Sequence, residues 1–194
     1  KKKGKNHIIT TVFEHHAVLH TVQMLEKDGF EVTYLAPQPN GIVDVKDVED
    51  AIRDDTALVS IMFANNEMGA VQPIPEIGAI CRAKKVLFHT DSVQAAAHLP
   101  IDVQAMNIDM LSMSGHKFHG PKGVGFLYAK KGMRLSNLIE GGAQERGKRA
   151  GTENLPGICG MVVHFVGNIM GTLKANQFFS FLAASRMKPT VSEE

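Results

Sequence analysis

Three clusters of polar residues in this chain each follow an apolar run. Asn65-Asn66-Glu67 follows Ile61-Met62-Phe63, His89-Thr90-Asp91 follows Val86-Leu87-Phe88, and Ser114-Gly115-His116-Lys117 follows Met110-Leu111-Ser112-Met113. In open α/β sheets, ligands bind in the crevice at the carboxyl ends of the strands, so polar residues just past an apolar strand are the first candidates for chemistry. Each cluster also has a purely structural reading: Asn66 as a turn residue, Asp91 as an N-cap, Lys117 as a solvated lysine in a glycine-bracketed turn.

Taken together, the clusters supply a carboxylate and a lysine at neighbouring strand ends, which is the pair that pyridoxal phosphate requires. A lysine amine condenses with the aldehyde, and a carboxylate beside the pyridinium nitrogen keeps the ring protonated and electron-withdrawing. Lys117 fits the first role and Asp91 the second. Gln94 lies three residues beyond Asp91, so a helix starting there would put both on one face. A metal reading would combine His116 and His119 with His89 or Asp91. No Cys/His framework completes a tetrahedral site, and no metal is expected.

The elements that must hold these clusters are legible as periodicity. Six apolar, β-branched runs predict strands: His7–Val12, Phe30–Ala36, Ala57–Phe63, Val86–Thr90, Ile108–Ser114 and Val124–Ala129. Between the first two, Val18, Leu19, Val22 and Leu25 form one face of a helix that Gly29 can end in a left-handed cap. Asp44 is a candidate N-cap for a helix through Arg53, and Ile74–Lys84 carries Ile77 and Ile80 at helical spacing. Strands alternating with such helices predict βαβ crossovers, hence an α/β fold with a mainly parallel sheet and helices on both faces. Gly141–Gly151 (GGAQERGKRAG) reads as a surface loop, followed by a helix from Asn154. Beyond about Met161 the sequence predicts no clear architecture.

Composition narrows the function classes. The 194 residues, 44% hydrophobic, suffice for one domain with a sizeable core. Of 21 basic residues, four are Lys1, Lys2, Lys3 and Lys5, leaving 17 against 20 acidic ones, so no nucleic-acid partner is expected. Asn154–Leu173 lacks Asp, Glu, Lys and Arg, but it holds Asn154, Pro156, His164, Asn168 and four glycines. A buried helix with small-residue contacts explains it better than a membrane span. Cys81 and Cys159 are too few for a disulfide framework, and a reducing, cytoplasmic setting is expected.

The runs HTDSVQ (His89–Gln94), SGHKFHGPKGVGFLY (Ser114–Tyr128), NNEMG (Asn65–Gly69) and GGAQERGKRAGTEN (Gly141–Asn154) together closely resemble the cysteine desulfurases, fold-type I pyridoxal-phosphate enzymes of the class V aminotransferase kind. The resemblance covers roughly residues 5 to 160. It implies removal of sulfur from L-cysteine, giving L-alanine and an enzyme persulfide that feeds a sulfur acceptor or iron–sulfur scaffold protein, by an enzyme that works as a homodimer. It further implies Lys117 as the cofactor lysine and Asp91 as the partner of the pyridine nitrogen. By the same resemblance His15, within FEHH, stacks on the ring and moves a proton, and Asn66 and Gln94 lie near the ring hydroxyl. Ser114 and His116 become phosphate ligands, and Thr152 a phosphate contact lent by the second subunit.

Departures from the family pattern set the remaining expectations. The family's nucleophilic cysteine lies on a mobile loop well past GTEN; Cys81 and Cys159 are instead expected to be buried and structural. The upstream phosphate loop and the far arginine that grips the substrate carboxylate have no counterpart in the sequence. Residues 1–160 are therefore expected to form part of the large cofactor domain and 161–194 a divergent tail, such as a truncated gene or a shifted reading frame produces. The 194 residues alone are expected to turn over weakly or not at all. A selenocysteine lyase, or a non-catalytic binding remnant of the fold, are the alternatives.

Overall fold

The computed structural model of the chain describes residues 4–169. Its elements run β1 (His7–Thr11), α1 (His16–Lys27), β2 (Glu31–Leu35), α2 (Val45–Ala51), β3 (Thr56–Ser60), α3 (Ile74–Lys84), β4 (Leu87–Asp91), β5 (Met110–Ser114), a 3₁₀ turn (Gly115–Phe118), β6 (Gly125–Ala129), a single distorted turn α4 (Gln144–Gly147), and α5 (Leu155–Ile169). All six predicted strands form, and they make one sheet in the order β2-β1-β3-β4-β5-β6. The first five strands are parallel and β6 runs antiparallel to β5. The ten residues between β5 and β6 are too few for a parallel crossover, so the chain turns straight back.

Local signals set the element ends. Gly29 adopts φ +84°, and Gly29 N–H donates to Glu26 O at 2.9 Å while Phe30 N–H reaches Leu25 O at 3.0 Å, the left-handed stop expected after α1. Asp44 caps α2 by accepting from Lys46 N–H at 2.8 Å, although that helix ends at Ala51, short of Arg53. The helix predicted over Ile74–Lys84 has those bounds, with left-handed Lys85 closing it.

The pleat divides the sheet into two faces. Ile9, Val59, Phe88 and Leu111 lie on one of them, packed with Val48 of α2, Ile74, Ile77 and Cys81 of α3, and Met161 and Phe165 of α5 in a single buried cluster. Ile8, turned the other way, and Val22 of α1 are buried outside that cluster. Among the described residues no helix is long and apolar enough to cross a membrane. The candidate span from Asn154 instead begins α5, which Asn154 caps through Gly157 N–H at 3.1 Å. Residues 170–194, most of the expected tail, lie outside the described residues; α5 itself runs unbroken past residue 160.

Two expectations are corrected. Cys81 is buried, but Cys159 is exposed, because it falls on the outward side of α5 while Met161 and Phe165 take the core. No helix starts after Asp91. Val93–His98 forms successive turns, with Ala96 N–H on Ser92 O at 2.8 Å and Leu99 N–H on Ala95 O at 2.9 Å, and Ala97 at φ +61° stops helical propagation.

Candidate active site

β1 runs out to β2 on one side, and the chain then crosses to build β3, β4 and β5 on the other. β1 and β3 are therefore adjacent strands whose connections diverge, the topological switch point where α/β sheets bind ligands. The carboxyl ends of β1, β3, β4 and β5 share this edge. They carry, in that order, His15, Asn66, Asp91 with Gln94, and Ser114 with His116 and Lys117.

The ends of β1 and β3 are stapled by two buried side chains: Glu14, which sequence reasoning passed over, and Asn65, which it grouped with Asn66 but gave no role. Glu14, 4% exposed, accepts through Oε1 from Thr11 Oγ1 and from Met62 N–H, each at 2.8 Å. Asn65, also buried, donates to Phe13 O at 3.0 Å and accepts from Glu67 and Met68 N–H at 2.9 Å. Held by this staple, Asn66 is left exposed, donating to Glu67 Oε1 at 2.6 Å. His15 is exposed at the N-cap of α1, where its Nδ1 accepts from Ala17 N–H at 3.2 Å. The neutral ring then carries its hydrogen on Nε2.

Asp91 ends β4 almost buried, its Oδ1 accepting from Val93 N–H at 3.0 Å. With no helix to cap, this bond closes a turn instead, and it leaves Oδ2 available. Two residues back on the same face, His89 bridges three strands, with Nδ1 2.8 Å from Ser60 Oγ and Nε2 2.6 Å from Ser112 Oγ. Burial pushes His89 below its ordinary value, and the Asp91 charge only partly offsets this. Asp91 and Ser112 are in register, so β5 ends beside Asp91.

Beyond Ser114, the chain enters the tight turn that carries Lys117. Buried Phe118 packs edge-on against Phe165 of α5, with centroids 5.4 Å apart, and anchors the turn from below. Glycine is required at Gly120, where a Cβ would lie 2.8 Å from Gly115 O. His98 Nε2 meets Lys117 O at 3.2 Å, tying the turns after Asp91 to the lysine's backbone. The Lys117 side chain itself is exposed, with no hydrogen bond among the described residues, and His116 is exposed beside it. Thr152 stands apart, exposed in the loop before α5. Among the described residues, no group of three His, Cys, Asp or Glu side chains converges as metal ligands.

Four buried side-chain oxygens among the described residues lack a partner: Thr10 Oγ1, Glu14 Oε2, Thr90 Oγ1 and Ser92 Oγ. All belong to β1, to β4, or to the segments just past them. Burial pushes the Glu14 carboxyl up to about 7, with the hydrogen bonds from Met62 and Thr11 pulling down and the Asp91 charge pushing up. Its folded value lies above its unfolded one, so Glu14 contributes no penalty below pH 4.5 and an increasing one as pH rises to about 7. That amounts to about 3 kcal/mol. Denaturant titrations of Glu14→Gln from pH 5 to 8 are expected to lack this decline, whereas a variant that loses stability with pH as the parent does would contradict the assignment.

The two thiols differ as sharply. Burial pushes Cys81 up to about 12, so it is inert within α3. A thiol reagent is expected to modify Cys159 in the native protein and Cys81 only after unfolding. Equal native rates would contradict this.

Comparison with known proteins follows from this geometry. The family described as Aminotransferase class-V matches residues 1–173. Cysteine desulfurase IscS of Clostridium botulinum is 63% identical over 161 residues, covering 83% of this chain and 40% of the relative. Cysteine desulfurase IscS of Methanosarcina thermophila is 60% identical over the same coverage. The chain thus spans about 40% of the length of the curated relatives it matches. Among solved structures, a NifS-like protein superposes with a TM-score of 0.83 at 43% identity, covering 86% of this chain and 46% of that one. SspA in complex with cysteine superposes at 0.82 and 43% identity, covering 92% and 52%.

Proposed function

The chain belongs to the aminotransferase class-V family, and from that premise we propose that it is the cofactor-binding part of a pyridoxal-phosphate-dependent cysteine desulfurase. The observation that carries this reading is the pairing of Asp91 with the lysine turn. A nearly buried carboxylate ends one strand, and the next strand ends beside it in a turn that presents an unengaged amine. The similarity to a protein solved in complex with cysteine supports cysteine as the substrate.

The residues fit the cofactor. A buried acid backed by a desolvated His89 suits a cationic ring nitrogen, and the orphaned Glu14 Oε2 and Ser92 Oγ belong to the segments just past the first and fourth strands. When bound, pyridoxal phosphate supplies an aldehyde for an amine to capture and a ring that withdraws electrons. Lys117 is the capturing amine. Asp91 would face the ring nitrogen, while Asn66 and Gln94 would serve the ring hydroxyl. Ser114 and His116 offer an O–H and an N–H to the phosphate, and Thr152, set apart in its loop, serves a second subunit of a homodimer. His15 moves the proton it holds on Nε2; taking one up at Nδ1 requires releasing Ala17 N–H.

Sulfur leaves L-cysteine for an acceptor thiol, yielding L-alanine and a persulfide destined for an iron–sulfur scaffold protein or another acceptor, in a cytoplasmic setting. Neither inert Cys81 nor helix-borne Cys159 is assigned as that thiol. Residues 1–160 form part of the cofactor domain in this reading and 161–194 a divergent tail. The test is to measure alanine and sulfide formed from L-cysteine by the purified protein loaded with pyridoxal phosphate, with dithiothreitol added as acceptor thiol and reductant and L-selenocysteine in parallel. Alanine from cysteine supports the reading. Turnover confined to selenocysteine would replace it with a lyase, and folded protein that binds no cofactor would favour a binding remnant.

A further inference from the structure

Resting on the functional reading above, we infer that Glu14 is a positioning residue of this site, clamping the end of β1, which carries His15, to the end of β3, which carries Asn66, beside Asp91. The clamp spans the switch point through a single carboxyl oxygen that accepts from Thr11 of the first strand and from Met62 N–H, 48 residues away in sequence. An acid this deeply buried is costly unless it does something a hydrophobic residue cannot. A hydrophobic side chain would fill the space but could not join Met62 N–H to the first strand.

The second oxygen, Oε2, is buried without a partner, so the carboxyl is not consumed by structural bonding alone. Asp91, from β4, is the charged group whose field reaches Glu14, and the segment past β3 presents it only the Met62 amide. Burial, with a smaller push from the Asp91 charge, favours the protonated form of Glu14. Glu14 thus acts on the chemistry through the strand ends that carry His15 and Asn66 rather than by touching substrate.

The test compares Glu14→Gln, which keeps the Oε1 acceptor and is always neutral, with Glu14→Ala, which removes the clamp. Glu14→Ala is expected to weaken pyridoxal phosphate binding about tenfold or more, and Glu14→Gln to stay within about threefold of the parent. In protein saturated with cofactor, Glu14→Ala should lower kcat by about tenfold while KM for L-cysteine changes by less than about threefold. Amide exchange at Met62, which needs no cofactor, should accelerate in Glu14→Ala and remain slow in Glu14→Gln. Should Glu14→Ala not fold, Thr11→Val removes one of the clamp's two donors without a cavity and should produce an intermediate loss. A folded Glu14→Ala, or a Thr11→Val, that matches the parent in binding and kcat overturns the inference, as does a Glu14→Gln that fails like alanine. If the parent binds no cofactor, the functional reading fails first. The clamp is then judged on Met62 exchange alone, supported by the contrast between the variants and overturned by its absence.

Discussion

Replacing Lys117 by alanine is expected to weaken pyridoxal phosphate binding, by on the order of a hundredfold or more, while leaving stability unchanged. The first half follows from chemistry: Lys117 lies in the turn directly past β5, whose Ser112 is in register with Asp91, and alanine has no amine to capture the aldehyde. The second half follows from structure. The Lys117 side chain is exposed and makes no hydrogen bond among the described residues, and the turn is held instead by Phe118, by Gly120 and by the backbone bond from His98. Exposed substitutions of this kind usually stay within about 0.5 kcal/mol of the parent. Thermal unfolding and a pyridoxal phosphate titration on the same preparations test both halves together. A variant that unfolds several degrees early would tie the lysine to folding rather than to cofactor binding.

The second large effect is structural and sits far from the chemistry. Gly78, in the middle of α3, is expected to tolerate no side chain. A Cβ there would lie 1.9 Å from Met106 O and 3.4 Å from the Asn107 side chain, and the obstructing atom is backbone, which cannot rotate away. Alanine would ordinarily favour a helix over glycine by about 1 kcal/mol. The clash reverses that sign, since α3 must move off the segment that leads from β4 into β5, at a cost of about 3 kcal/mol. Because that segment sets where β5 begins, and β5 ends in the Lys117 turn, Gly78→Ala is also expected to weaken cofactor binding. Chemical denaturation measures the first effect. A Gly78→Ala protein as stable as the parent would mean that α3 and the Met106 backbone pack less tightly than they stand here.

What the sequence disclosed and what it withheld have the same physical origin. Strands buried on both faces are written as continuous β-branched runs, which is why HIITT and ALVSIMF were legible without any structure. Gly29 and Asp44 announced helix ends because backbone conformation and capping demand those residue types. The polar clusters past the strands were legible as a site only in combination, because a carboxylate and a lysine at neighbouring strand ends are the pair that pyridoxal phosphate requires. Other features depend on tertiary contacts that no local pattern encodes. Glu14 reads as an ordinary surface acid before a helix, and only the return of Met62 across the switch point buries it. Asn65 and Asn66 are indistinguishable as letters, yet one is a buried staple and the other faces outward. Cys159, in a strongly apolar stretch, reads as core, but the helix turns it away while Met161 and Phe165 point inward. The antiparallel return of β6 was available from spacing, since ten residues cannot build a crossover.

The account rests on Lys117 being the amine that captures pyridoxal phosphate, and one measurement addresses it directly. The purified protein is incubated with pyridoxal phosphate and reduced with borohydride, and the modified peptide is located by mass spectrometry with Lys117→Ala alongside. The account predicts a single pyridoxyl group on Lys117, within the Ser114–Tyr128 stretch, and no selective label in the variant. Labelling scattered over several lysines, or an undiminished label in Lys117→Ala, from protein shown to be folded, would contradict it.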